Sequence, residues 1–151
     1  MFTQRTHGLR FIFAAACILT VPAFALAQLP IKLNTPGKAS RVSKEEVCAP
    51  DYASKVKPIK KWQSDQALRA YGLREDSSRE VVRLIPATLG GTNDPENLWP
   101  ISEAKDFGAP QKKALDEKLH QMVCSGSMEL KAAQEEVKKD WVDAYKKHVT
   151  Q

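Results

Sequence analysis

Apolar residues recur at helical spacing through the C-terminal third of the chain. Leu130, Ala133, Val137, Trp141, Ala144 and Tyr145 lay one clean stripe, predicting a last helix from about Met128 to His148 with Ser127 as its cap. Its other face pairs Glu135 with Lys139 and places Glu136, Asp140 and Lys146 in solvent. Upstream, Leu115, Leu119, Met122 and Val123 predict a helix from about Pro110 to Ser125, stopped by Gly126. A third helix is expected from Ile59 to Tyr71, with Gly72 just past its end and Ile59, Trp62, Ala67, Ala70 and Tyr71 sharing a face that Gln66 and Leu68 blur. Ser43 and Glu46 stand at capping-box spacing and open a short helix that delivers Cys48. The β-branched run from Arg79 to Ile85 predicts a strand, Gly90 and Gly91 a turn, and Asn97, Leu98 and Trp99 a second short strand pairing back. The stretch Ser54 to Pro58 reads as a short extended piece, and residues 28–42, rich in Pro, Gly, Asn and Ser, as a loose leader. These elements predict a mainly helical α+β fold built around a brief β-hairpin, in one domain over residues 43–151. Trp62, Trp99 and Trp141 are each expected as core anchors with their indole N–H groups satisfied.

The N-terminal 27 residues follow a different grammar. Arg5 and Arg10 precede an uncharged apolar run, and Ala25, Leu26 and Ala27 give the small-x-small pattern of signal-peptide cleavage before Gln28. The run contains Pro22 and is shorter than the roughly 20 residues a membrane span requires. A lipoprotein signal at Cys17 fits poorly, because Ala14, Ala15 and Ala16 precede it. The expectation is an exported protein, periplasmic or secreted, without a transmembrane segment after cleavage. Losing Arg5 and Arg10 and no acid lowers the formal net charge of +5 by two, a mildly basic balance that permits nucleic-acid contact without requiring it. Of the three cysteines, Cys17 leaves with the signal, so Cys48 and Cys124 remain. In an oxidising compartment they form most simply one disulfide, worth on the order of 4 kcal/mol; two buried free thiols are the alternative. There is no C-x-x-C pair, no Ser/His/Asp set, no phosphate-binding Gly loop ahead of a helix and no zinc spacing.

An ordered set of motifs points further. The run LIPATLGGTNDPENLWP from Leu84 to Pro100, the Lys-rich helix that ends at Cys124-Ser125-Gly126, and the last helix through Trp141 and Tyr145 resemble small exported bacterial proteins of the HNH nuclease-like (ββα-metal) family. The likeness extends upstream through Thr35-Pro36-Gly37, the segment from Val47 to Pro58, and Tyr71-Gly72-Leu73, and so covers nearly all of the chain after the N-terminal segment. It implies a hairpin and helix gripping one divalent metal. In that pattern an Asp-His pair stands directly before Leu-Ile-Pro: the Asp ligates the metal and the His is general base for the attacking water. The Asn of Asn-Leu-Trp orients the base or steadies the turn, and the following helix supplies a further ligand. The metal stabilises charge on the phosphate, which makes acidic or imidazole ligands indispensable.

The chain keeps the frame and departs at the chemistry. Leu84, Ile85, Pro86, Gly90, Gly91 and Asn97 to Pro100 follow the pattern, but Val82 and Arg83 occupy the Asp-His positions. On the helix, Lys112-Lys113 and then Asp116 stand where Lys-Asp and then Glu are usual. An arginine has no lone pair to ligate a cation or to accept a proton from water, and a lysine repels a metal. Val82, Arg83, Asn97 and Lys113 are therefore the positions of a degenerate site, with no catalytic and no metal-ligating residue assigned. Arg83 and Lys113 are candidates for holding a phosphate, sulfate or carboxylate. Lys55, Lys57, Lys60 and Lys61 beside Trp62 form a second basic cluster of the kind that meets a phosphate backbone, or simply a solvated face. His120 and His148 lie far apart, and Glu80, Asp94, Glu96 and Asp116 are the acids that a relocated ligand set would draw on. Three functions follow as expectations. The first is a module that binds nucleic acid or another anion without cofactor; the second is a nuclease using a divalent metal on relocated ligands; the third is an envelope protein using the fold for protein contact.

Overall fold

Two long helices carry the apolar stripes that the core needs. In the computed structural model, which describes residues 29–75, 77, 79–102 and 106–150, α4 (Ala109–Ser125) buries Leu115, Leu119 and Val123, and α5 (Leu130–His148) buries Val137 and Trp141. These two helices make the most extensive inter-element contact of the molecule. Pro110 sits in the first turn of α4, where its missing N–H costs nothing, and Gly126 ends the helix in the left-handed conformation at φ 81°. The expected signal segment, with Cys17, lies outside the described residues. Among the described residues no helix is long and apolar enough to cross a membrane.

α5 departs from the continuous helix its stripe predicts. Asp140 has φ −163° and ψ 103°, and its Oδ1 accepts the backbone N–H groups of Val142 and Asp143 at 2.9 and 3.1 Å. The carboxylate thus re-caps the helix about two turns before its end at His148. Ser127 does not cap α5; Glu129 holds that position, and the Ser127 hydroxyl donates to the Met122 carbonyl at the end of α4. The surface pairing also differs from expectation: Glu135 meets Lys138, and Glu136 meets Lys147 and His148.

The rest of the chain wraps this pair. α1 (Lys44–Val47) opens with the predicted capping box, Ser43 Oγ accepting from Glu46 N–H and Glu46 Oε2 accepting from Ser43 N–H. Cys48 follows at its end and is disulfide-bonded to Cys124 of α4. α2 (Tyr52–Lys55) is a single helical turn where an extended piece was expected. α3 (Lys61–Ala70) buries Ala67 and Leu68, so Leu68 belongs to the inward face it was expected to blur. Trp62 is 59% exposed and anchors nothing, whereas Trp99 and Trp141 are fully buried with ring centroids 6.2 Å apart. Trp99 Nε1 has no hydrogen-bond partner, contrary to the expectation that each indole is satisfied.

The hairpin is shorter than its β-branched run. β1 (Val81–Arg83) pairs antiparallel with β2 (Leu98–Pro100), setting Val81 opposite Pro100, Val82 opposite Trp99 and Arg83 opposite Leu98. Leu84 and Ile85 leave the ladder to fill the core. Between the strands, short 3-10 turns at Ala87–Leu89 and Pro95–Asn97 flank the two glycines. Gly90 takes φ 82°, and a Cβ on Gly91 would lie 1.8 Å from the Ile85 carbonyl oxygen. Only glycine allows that approach.

The segment expected as a loose leader is laced to this loop. Thr35 is fully buried and donates to the Leu98 carbonyl, Gly37 N–H donates to Glu96, Ser40 donates to Gly90, and Thr92 N–H donates to the Lys38 carbonyl, which sets Ala39 opposite Gly91. The result is a mixed α+β fold with five helices and one two-stranded sheet among the described residues, clipped by Cys48–Cys124.

Candidate functional site

Val82 and Arg83, the last two residues of β1, both border one groove together with Glu80 and Val81. That groove, about 700 Å³, runs between the hairpin and α4 and is edged by Glu80, Arg83, Lys112, Lys113 and Asp116. Arg83 is also in the wall of a second hollow of about 250 Å³, lined by Tyr52, Lys55, Lys57, Thr92 and Asn93. The guanidinium therefore stands between two cavities.

Its position is fixed by two hydrogen bonds. Arg83 Nε donates to Asn93 Oδ1 at 2.8 Å and its terminal nitrogen to the Lys57 carbonyl at 2.8 Å. Asn93 in turn donates to the carbonyls of Lys57 and Pro58 at 3.1 and 3.0 Å. This latch fastens the segment after α2 onto the hairpin and leaves part of the guanidinium fork open to the cavities. Burial lowers the Arg83 pKa from its ordinary value; an arginine nonetheless stays cationic at any working pH.

On the α4 wall the expected cation and the buried one are different residues. Lys113 is 79% exposed and its ammonium lies 4.0 Å from Glu117. Lys112 is 2% exposed, and its ammonium lies 2.5 Å from Asp116 Oδ1 one turn along the helix. Burial pushes the Asp116 carboxyl up to about 6, against the opposing pull of the Lys112 charge. Lys113 borders the groove with Arg83, but the cation inside it is Lys112. The i,i+4 spacing of Lys112 and Asp116 was the available sequence signal; only the packing of α4 shows which of two adjacent lysines turns inward.

Asn97 is fully buried and spends its amide on the loop. Its Nδ2 donates to the Ile85 and Thr92 carbonyls at 3.0 and 2.9 Å, and its Oδ1 accepts from Ile85 and Lys38 N–H at 2.9 and 3.3 Å. Of the two roles the resemblance offers this residue, its geometry is that of steadying the turn. The four acids do not form one cluster. Glu80 and Asp116 edge the groove, whereas Asp94 and Glu96 converge on Lys38 at 3.6 and 2.8 Å. Among the described residues the one group of three potential metal-binding side chains is Cys48, His120 and Cys124. His148 is paired with Glu136 at 2.6 Å.

The second basic cluster survives in part. Lys55 and Lys61 pair with Asp51 and Asp65 at 2.6 and 2.8 Å, which cancels much of their field. Lys57 continues the cluster onto the Arg83 hollow, and Lys60 and the exposed Trp62 stand at the head of α3. Comparison of the chain with protein-family models, with curated proteins and with solved structures gives no match.

Proposed function

We propose that the chain is an exported HNH nuclease-like domain that has lost metal-dependent phosphodiester hydrolysis and binds an anionic backbone, nucleic acid in the first instance. The observation that carries this reading is the latched guanidinium of Arg83, held between two cavities by Asn93 and the Lys57 carbonyl. A cation pre-positioned by hydrogen bonds to its neighbours binds a phosphate with little ordering cost. Lys112 supports it from the opposite wall, because its ammonium already neutralises the partly buried carboxylate of Asp116 in the groove. A divalent ion needs carboxylate, imidazole or thiolate donors, and here Glu80 and Asp116 face Arg83, Lys112 and Lys113 instead. Placement in the periplasm or outside the cell belongs to the same proposal and draws support from the disulfide.

Fluorescence anisotropy with labelled DNA tests the binding. The reading expects affinity that falls as salt rises from about 50 to 200 mM, with a slope of about −0.9 per phosphate neutralised. Substituting Lys57→Ala and Lys60→Ala, whose side chains are outside the latch, lowers both affinity and slope. Absence of binding even at low salt, or a slope that ignores these substitutions, contradicts it.

A further inference from the structure

His120 and Cys124 stand one turn apart on α4, and Cys48 meets them from the end of α1. His120 Nε2 lies 3.0 Å from the Val47 carbonyl and 3.4 Å from Cys124 Sγ, and the ligand atoms of all three side chains lie within 4.8 Å of one another. Around a tetrahedral zinc ion, sulfur at about 2.3 Å and nitrogen at about 2.0 Å put ligand atoms roughly 3.5 to 3.8 Å apart. The His120 Nε2 to Cys124 Sγ distance is close to that already, and the two bonded sulfurs have to move apart once the disulfide is reduced. The capping box that fixes α1 and the burial of Val47 hold the Cys48 backbone in place, and His120 also borders an open hollow of about 360 Å³ beside Pro86, Lys113 and Gln121. An ion has a route from solvent to the imidazole.

We infer that the Cys48–Cys124 disulfide and a Cys₂His site for a thiophilic divalent ion such as zinc are two alternative states of the same three side chains. The interconversion balances with a dithiol as reductant. The dithiol gives two electrons and two protons to the Cys48–Cys124 bond, producing two thiols, and leaves as its own disulfide. Metal binding then releases the two thiol protons. His120 moves its ring proton to Nδ1, gives up the Val47 carbonyl, and offers the Nε2 lone pair. Three protein ligands leave a fourth position for water or a small anion. The three ligand side chains are outside the lining of the proposed anion-binding groove, although the hollow beside His120 shares Lys113 with it.

The full mature chain is reduced anaerobically with a phosphine that is then removed, and titrated with Co²⁺ followed by competition with Zn²⁺. The site predicts one ion per chain with thiolate-to-cobalt charge-transfer absorption. It predicts no such complex for the oxidised chain or for Cys48→Ser with Cys124→Ser. Since losing even an outer-sphere partner of a metal ligand weakens binding by about tenfold to a hundredfold, His120→Ala should weaken it at least about tenfold. A reduced, folded chain that takes up no ion at this stoichiometry overturns the inference, as does equal affinity in His120→Ala. If reduction alone unfolds the chain, the titration is followed by far-UV circular dichroism. Recovery of native ellipticity with one equivalent of metal supports the site, and failure to recover overturns it.

Discussion

Asn97 and Asp116 show how a single side chain is committed by its surroundings. The Asn97 amide holds three backbone groups of the loop and the Lys38 N–H of the N-terminal segment from inside the protein, so Asn97→Ala leaves buried donors and acceptors without partners. The expected loss is about 2 to 5 kcal/mol, read as a shift in the urea midpoint at unchanged slope; a loss below about 1 kcal/mol is incompatible with this role. Asp116 makes a pH-dependent contribution of defined sign. Burial pushes its carboxyl up to about 6, above its ordinary value of 3.8, so the fold holds the proton more tightly than the unfolded chain. That contribution is fully present below the unfolded value and is lost as pH rises through about 6. Measured from pH 4 to 7, the stability of Asp116→Asn relative to wild type should therefore climb, by up to about 3 kcal/mol. A flat difference means that Asp116 is already ionised at pH 4 in the fold. Neither commitment was legible in the sequence. Asn97 was visible as part of Asn-Leu-Trp-Pro but not as a residue with every bond taken, and Lys112 and Lys113 each have an acid four positions on, so that spacing alone did not separate them until α4 was packed.

Elements were more legible than residues because their signals are local. The capping box of α1, the glycine stop of α4 and the stripe of α5 all rest on residues within a few positions of one another, and each element formed where expected. What was missed depends on long-range partners. Leu68 packs inward and Trp62 outward because of what lies opposite α3, and the segment before α1 is held by hydrogen bonds from Ile31 and Asn34 to the end of α3 and from Gly37 and Ser40 to the loop between the strands. The break in α5 at Asp140 was hidden because the apolar stripe continues through it. The loop after β1 depends on Gly91, whose missing Cβ lets the chain pass the Ile85 carbonyl. Gly91→Ala should destabilise by more than about 3 kcal/mol, detected as a lowered melting temperature or loss of soluble protein. Near-wild-type melting means that the loop relaxes at little cost.

At the scale of the whole molecule, the hairpin, α4 and the latch at Arg83 form a frame whose cavities present cations. The fold class and the disulfide were readable from periodicity and from the pair of cysteines left after the N-terminal segment. The site was readable only as a set of departures, Val82, Arg83 and Lys113, from a resembled pattern, because cavities are made by elements distant in sequence. The three-dimensional arrangement exchanges Lys113 for Lys112 as the inward cation and adds Asn93 as the residue that positions Arg83. The central claim is that this frame binds a phosphate backbone without cleaving it. Supercoiled plasmid incubated with the purified chain and Mg²⁺, Mn²⁺, Ni²⁺ or Zn²⁺ tests it most directly, run on one gel with the complex intact and on another after proteolysis. The account predicts retarded plasmid on the first gel and fully supercoiled plasmid on the second, whichever metal is present. Nicked or linear plasmid that a chelator prevents contradicts it.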